Sequence, residues 1–507
     1  MTQWRAYSCD AGSVYFAGPG ADVPAPVRVV RTATATLVPL SFEVWRELRL
    51  AGHECPHPIL HGYHWPGIWT PRDNQRSTAA FLASHLRAVC LNGMRTGKTY
   101  STLWAADYLM RQRVIKTVLI VAPKSTLEIV WERALLQMHG NSVSWCILNG
   151  TRDRKREDCA RARQYTIVNP ESLHLLVGHI KPDLVVVDEA TSMKNPQTRQ
   201  WKALSKIVGD DLPLWLLTAT PTQHSPEDAF GLIRLLSPSY MSAQRWRGMT
   251  MQQVSKFKWV PRREAEEVVA QYLRPSIRYT LDDCGDVPTV QKEYLPVAQT
   301  PEQERLCKSL VEQAIADVES GERITAVNAG ALLSKVLQVQ GGGVYVEREG
   351  ERATLAVDAE PMYQAIEEYV AEADTPVIVF APFRAVAKAV SERLKCPLFW
   401  GDTKQDERRQ LCDEFQAGKH DAMVAVADTM SHGLTLNRAR YILWVLPPFK
   451  AETYAQANGR VLEADSSKRI VITHLVPSQV AKSRYDALES RARLQDTVLE
   501  LLQQHGG

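Results

Sequence analysis

Apolar residues in this chain gather in short runs of four or five, rich in valine, leucine and isoleucine, and the runs alternate with longer stretches of helical spacing. In the first half the runs fall at 88–91, 117–121, 145–148, 166–168, 184–187 and 214–217. Runs this short, continuous and β-branched predict strands buried on both faces, and their alternation with helices predicts a parallel sheet covered on both sides. A second set follows at 376–380, 422–426, 441–445 and 469–472. The expected fold class is therefore α/β, with two doubly wound parallel-sheet lobes. Between the sets, 239–337 reads mainly helical, broken at 282–288, and Gln340-Gly341-Gly342-Gly343 marks a turn or hinge. The first seventy residues differ, with a β-prone run at 27–30 and then a His-rich loop. The expected division is a small accessory domain at 1–70, a first lobe at 71–238, helical protrusions and a linker at 239–345, a second lobe at 346–478, and an amphipathic helix at 479–507 packing on the second lobe. A chain of 507 residues is too long for one core, which fits this division.

Candidate chemistry sits at the ends of two runs. Asn92-Gly93-Met94-Arg95-Thr96-Gly97-Lys98-Thr99 follows the run at 88–91 and opens a helical stretch. A loop of this kind aims backbone N–H groups and a helix dipole at phosphate oxygens, with Lys98 reaching the β/γ-phosphates and Thr99 holding Mg²⁺. Its first position is Asn92 where the strict pattern has glycine. Asp188-Glu189 ends the run at 184–187 and supplies the complementary half: Asp188 to complete the Mg²⁺ shell, Glu189 to orient and deprotonate the attacking water. The cofactors expected are ATP and Mg²⁺, and the activity expected is ATP hydrolysis.

Composition narrows the partners. The chain is 45% hydrophobic and 23% charged, which excludes extensive disorder, and its net charge of +3 is too small to hold a polyanion by its overall field. A local patch does better: 231–280 carries nine basic residues against three acids, interleaved with aromatics, among them Lys256, Lys258, Arg262 and Arg263. Tracking of a nucleic-acid backbone fits this segment, and so does a solvated helical face with its aromatics turned to the core. The run 152–156 mixes Arg and Lys with an acid and reads as a surface loop. Nine scattered cysteines without a C-x-x-C pair suit a reducing cytosol. No leader and no apolar stretch of about eighteen residues is present, so no membrane association is expected. His53, Cys55, His57, His61 and His64 have zinc-ligand chemistry but no familiar spacing, and read as a packed aromatic loop.

With both lobes placed, the motifs resemble, in order, those of superfamily-two helicases, and most closely the Swi/Snf-type DNA translocases in a compact bacterial or phage form. The segment Leu217-Thr218-Ala219-Thr220-Pro221-Thr222-Gln223 through Asp228 carries the likeness most specifically. Pro71-Arg72-Asp73-Asn74-Gln75, 118–132, Asp188 through Asn195, Trp400-Gly401-Asp402-Thr403, 428–437 and Gln456-Ala457-Asn458-Gly459-Arg460 agree with it. The resemblance implies two RecA-like lobes. It makes Gln75 an adenine reader, with Gly93, Thr96, Gly97, Lys98 and Thr99 around the phosphates. Pro123, Lys124 and Ser125 would follow the DNA backbone, while Thr218, Thr220 and Gly433 would couple nucleotide to motion. Lys98, Asp188, Glu189, Gln456 and Arg460 are its catalytic set.

Three positions depart from the family pattern: Thr191 stands for histidine, Gly93 and Arg95 stand where Glu and Gly are frequent, and Glu463 replaces a second arginine. The activity implied is a DNA-stimulated ATPase that translocates on DNA, duplex or forked, in replication, recombination or repair. A monomer in the cytoplasm of a bacterial or phage-infected cell is expected. Two other readings stay open: an ATP-binding DNA-remodelling scaffold with little turnover, and an RNA helicase.

Overall fold

The computed structural model describes residues 3–9, 12–25, 27–161, 163–222, 225–237, 241–255, 258–285, 289–319, 326–348, 351–403, 405–430, 436–462 and 469–489. The chain divides after Cys284 into two compact units, each described here by itself.

The first unit opens with an antiparallel sheet, order β1-β2-β4-β3, of β1 (Arg5–Cys9), β2 (Gly12–Ala17), β3 (Val30–Arg31) and β4 (Thr36–Pro39). Helix α1 (Phe42–Leu50) starts at Ser41, whose hydroxyl accepts the Val44 N–H at 3.2 Å, and buries Phe42, Trp45 and Leu48 from one face. After the single turn α2 (Ile59–Gly62), the chain reaches α3 (Asp73–Ser84) and α4 (Lys98–Arg111). Trp4, Tyr15, Phe42, Trp45 and Tyr63 share one core with these two helices. Tyr63 donates to Asp107 of α4 at 2.5 Å, and the Trp104 indole donates to the Pro66 carbonyl at 2.8 Å.

The His-rich loop is the packed aromatic segment its composition suggests. The His57 ring lies 4.5 Å from Trp45 and 5.4 Å from Tyr108, centroid to centroid. Among the described residues no group of three His, Cys, Asp or Glu side chains could hold a metal ion.

All six runs of the first set are strands: β5 (Arg87–Cys90), β6 (Val118–Val121), β7 (Trp145–Ile147), β8 (Tyr165–Val168), β9 (Leu184–Val187) and β10 (Leu214–Leu217). Helices α5 (Arg133–His139), α6 (Arg152–Ala160), α7 (Arg199–Val208) and α8 (Phe230–Leu236) lie among and after them. The charged run at 152–156, expected as a surface loop, instead opens α6, because the Thr151 hydroxyl accepts the Arg154 N–H and caps the first turn.

The segment expected to be mainly helical is more mixed. It holds α9 (Ala243–Thr250) and α10 (Ala265–Tyr272), but between them a hairpin of β11 (Met251–Ser255) and β12 (Lys258–Pro261) forms a sheet of its own. Then β13 (Ser276–Ile277) pairs in parallel with β5, completing a seven-stranded parallel sheet of order β13-β5-β10-β9-β6-β8-β7.

The second unit begins with β14 (Val290–Pro296), the edge strand of a six-stranded parallel sheet ordered β14-β21-β20-β17-β19-β18. A separate hairpin, β15 (Gly343–Arg348) with β16 (Glu351–Ala356), follows the turn at Gly341-Gly342. The expected runs become β17 (Val377–Ala381), β19 (Ala422–Val426), β20 (Tyr441–Trp444) and β21 (Ile470–Val476), and β18 (Leu398–Phe399) is added at the other edge. A helix begins at 479 and continues to 489, where the described residues end; it buries Ala481, Tyr485 and Leu488, spaced for one face. The Tyr485 hydroxyl donates to the Trp444 carbonyl of β20 at 3.3 Å. No helix among the described residues is long and apolar enough to cross a membrane.

Burial pushes the His57 imidazole down to about 3, and its Nδ1 accepts the Ile59 N–H at 3.2 Å, so the folded protein holds it neutral. The unfolded chain takes up this proton near the ordinary value of 6.5, so acidification through 6.5 toward 3 draws the equilibrium toward unfolding. At pH 5 this one group removes about 2 kcal/mol. His57→Asn, which keeps an acceptor for Ile59, is expected to lose about that much less than wild type between pH 7.5 and pH 5 in urea unfolding. An unchanged slope would assign the acid sensitivity elsewhere.

Candidate active site

Every strand of the first-unit sheet is parallel, so all of them end at the same edge, and β5, β10, β9 and β6 are adjacent there. The loop after β5 leads to Lys98; β9 ends at Asp188-Glu189; β10 runs into Thr218; β6 runs into Pro123-Lys124-Ser125. Residues far apart in sequence are gathered by pairing alone.

In the loop after β5, Gly97 has φ +86° and begins α4. A side chain there would be strained in backbone and would meet the Gln75 amide, 1.9 Å from an ideal Cβ, so the glycine lets Gln75 lie against the loop. The Gln75 carbonyl oxygen accepts the Arg72 N–H at 2.9 Å and holds the side chain at the start of α3. Lys98 Nζ donates to the carbonyls of Asn92 and Gly93 at 2.8 and 2.9 Å, across the mouth of the loop. Thr96 closes the same turn on the Gly93 carbonyl at 2.8 Å, and Asn74 donates to the Thr96 carbonyl at 3.0 Å. Arg95 takes φ +64°, the left-handed conformation a glycine would adopt more easily.

Asn92 marks a departure from the motif that proves structural. It is fully buried, its amide nitrogen donates to the Thr78 hydroxyl of α3 at 2.8 Å, and its amide oxygen accepts the Tyr279 N–H at 2.9 Å. Gly93 N–H donates to the Tyr279 carbonyl at 2.8 Å. One asparagine thus ties the phosphate loop to helix α3 and to the segment leaving β13. A glycine could do neither.

Asp188 is half-buried beside Glu189. Burial, and then the charge of Glu189, push its carboxyl up to about 6, against the lowering effect of the Trp131 hydrogen bond and the Lys98 charge. The Trp131 indole donates to Asp188 Oδ2 at 2.9 Å and the Glu189 N–H to Oδ1 at 3.1 Å, fixing the carboxylate plane. A carboxylate oriented by two N–H donors, beside a second acid, offers oxygen ligands of the kind a divalent cation takes, with Thr99 the hydroxyl at the start of α4. Glu189 has φ +48°, another left-handed residue at this edge.

The Thr218 N–H donates to the Cys90 carbonyl at 3.0 Å, and the Thr218 hydroxyl accepts the Thr220 N–H at 3.1 Å, placing the Thr218–Thr220 turn between the loop after β5 and the carboxylates. Where histidine is usual, Thr191 is buried in the turn Ala190–Met193. A connection between the two segments runs through Lys194, whose ammonium lies 3.6 Å from Asp228. Trp131, Asn92 and Lys194 were not picked out as site residues from sequence. Trp131 and Lys194 fall in the motif-like segments 118–132 and 188–195, whose spacing is the signal that could have found them.

In the second unit, Gln456 lies on the helix Ala451–Asn458 and donates to Glu452 at 2.9 Å, while Arg460 follows the helix and is buried, its carbonyl accepting the Leu436 N–H at 3.0 Å. Gly433, Lys256 and Glu463 lie outside the described residues, as does the side chain of Lys258. Arg262 and Arg263 are exposed just beyond β12.

Comparison with known families places this architecture. The SNF2-related domain matches residues 78–340, and the helicase conserved C-terminal domain matches 361–464. The chain belongs to the SNF2-related family. Among curated relatives of the family, the chain is 26% identical over 472 residues to putative protein p41 of Acyrthosiphon pisum secondary endosymbiont phage 1, covering 86% of this chain and 99% of that one. It is 22% identical over 426 residues to the SWI/SNF-related matrix-associated actin-dependent regulator of chromatin subfamily A-like protein 1 of Xenopus tropicalis, covering 80% of this chain. The chain spans only 42% of that longer relative. In fold it is similar to the Pyrococcus furiosus Hef helicase domain, with a TM-score of 0.51, 15% identity, and coverage of 82% of this chain and 98% of that domain. The two parallel-sheet lobes are thus the RecA-like pair of a superfamily-two, Swi/Snf-type helicase, a family of ATP hydrolases.

Asn92→Ala leaves the Thr78 hydroxyl and the Tyr279 N–H without their partner inside the core. We expect it to destabilise the first unit by about 1–3 kcal/mol in urea unfolding. A change below about 0.5 kcal/mol would remove Asn92 from the structural role described.

Proposed function

We propose that this chain is a DNA-stimulated ATPase that uses nucleotide hydrolysis to move along DNA, acting on duplex or forked substrates. The observation that carries the reading is the convergence of the Lys98 loop and the half-buried Asp188-Glu189 pair on one sheet edge, with the Thr218–Thr220 turn between them. Lys98 leaves its loop carbonyls for the β/γ-phosphates, and Gln75 reads adenine from its position against Gly97. Thr99 and Asp188 would hold Mg²⁺, which when bound neutralises charge on the transferred phosphoryl group. Glu189 orients water and accepts its proton. Gln456 and Arg460 supply polar and cationic groups from the second lobe during the cycle.

DNA as the partner is supported by Pro123-Lys124-Ser125 at the same edge as the nucleotide loop, with Lys124 exposed, and by the excess of six positive charges in 231–280. Lys256, Lys258, Arg262 and Arg263 are assigned to the DNA backbone. The phage relative of matching length favours a bacterial or phage-infected cytoplasm and a role in replication, recombination or repair. The chain acts as a monomer in this reading.

Phosphate release measured with and without DNA tests the proposal. Wild type is expected to be stimulated by DNA, and Lys98→Ala to lose at least about a hundredfold in turnover while still binding DNA. Turnover that survives Lys98→Ala would contradict it, and the absence of stimulation in wild type would favour an ATP-binding scaffold.

A further inference from the structure

We infer that Trp259, backed by Arg247, is a stacking platform for an unpaired nucleobase, so that the β11–β12 hairpin engages the junction between duplex and single strand. The inference rests on the reading of the chain as a DNA motor and adds to it a site and a ligand class.

The hairpin is an isolated two-stranded ribbon, a structure of marginal stability in water unless something holds it. Its base is closed by Arg262, whose N–H donates to the Thr250 carbonyl at 2.9 Å and whose Nε donates to the Met251 carbonyl at 3.0 Å. Met251 is buried, but Gln252 through Ser255 are exposed, and the register shifts between Gln253 and Ser255. Farther out, the Arg247 guanidinium lies 5.6 Å from the centroid of the Trp259 ring, and its Nε donates to Glu227 at 2.6 Å. The carboxylate fixes the cation and the cation fixes the indole, which remains 38% exposed.

An exposed indole held in place on a basic ribbon has the chemistry that binds nucleobases by stacking. Arg245 on α9 and Arg262 and Arg263 just beyond β12 are exposed, and their charge complements a phosphate backbone. Bases within a duplex hide both π faces in the stack, so this platform finds its ligand only where a strand is unpaired.

The platform is also tied to the catalytic edge. Glu227 lies in the turn Pro226–Ala229, where Ser225 and Asp228 form a capping box, and Asp228 pairs with Lys194 just after the turn that follows Glu189. The Trp246 indole of α9 donates to the Pro226 carbonyl at 3.2 Å. Gly231 packs so closely on the Ala190–Met193 turn after Glu189 that a side chain there would meet the Met193 carbonyl. Bound DNA can therefore bias the carboxylates through packed contacts within the first unit.

The test uses the full chain and fluorescence anisotropy on a labelled fork and on a blunt duplex of equal length, with fork-stimulated phosphate release alongside. Trp259→Ala is expected to weaken fork binding about tenfold with duplex affinity within about twofold of wild type, and fork stimulation should fall in parallel. Trp259→Phe should retain most of the fork preference, and Arg247→Ala should lose about threefold. Equal losses on fork and duplex, or no loss on either, would overturn the inference. Wild-type turnover unstimulated by any DNA would instead sink the motor reading, while the fork preference in binding would still be read by the same variants.

Discussion

Parallel strand pairing is the constraint on which the first unit depends. A parallel sheet points every strand end the same way, so loops separated by tens of residues meet at one edge. Because β10 lies between β5 and β9, the Thr218 turn is held between the phosphate loop and the carboxylates by two ladders of backbone hydrogen bonds. No side chain has to bring these groups together; side chains only adjust what the ladder has already placed. Trp131 orients Asp188, Gln75 lies against Gly97, and Asn92 anchors the loop to α3 and to Tyr279.

The same edge carries backbone strain. Arg95 and Glu189 are both left-handed, at a cost on the order of 1–2 kcal/mol each, and both flank the proposed phosphate and metal positions. The strain persists because the surrounding contacts over-determine the loop: Thr96, Asn74, Asn92 and Lys98 all hydrogen-bond within or onto it. The sequence departures at Asn92 and Arg95 therefore preserve the loop rather than dissolve it.

Much of this was legible in the residues. Six apolar runs of the first lobe and four of the second predicted their strands because burial on both faces leaves an unbroken hydrophobic signal. Strands without that signal escaped notice. β14 buries no residue along Val-Gln-Lys-Glu-Tyr-Leu-Pro, with only Gln291 and Tyr294 half-buried, and β13 is only two residues long. The β11–β12 hairpin is polar and basic and reads as a charged helical face until its pairing is seen. In the site, loop and carboxylates were found from spacing, since phosphate and metal chemistry restrict residue types there. Asn92, Trp131 and Lys194 act through tertiary hydrogen bonds and an ion pair, whose distant partners no local pattern names.

The central claim is that the loop after β5 and the carboxylate after β9 serve one bound nucleotide. Calorimetric titration of ATP into wild type and Asp188→Asn, each with and without Mg²⁺, tests this most directly. Mg²⁺ is expected to strengthen ATP binding to wild type by about tenfold or more, and Asp188→Asn to lose that increment while keeping its Mg²⁺-free affinity. An increment that survives unchanged in Asp188→Asn would contradict it.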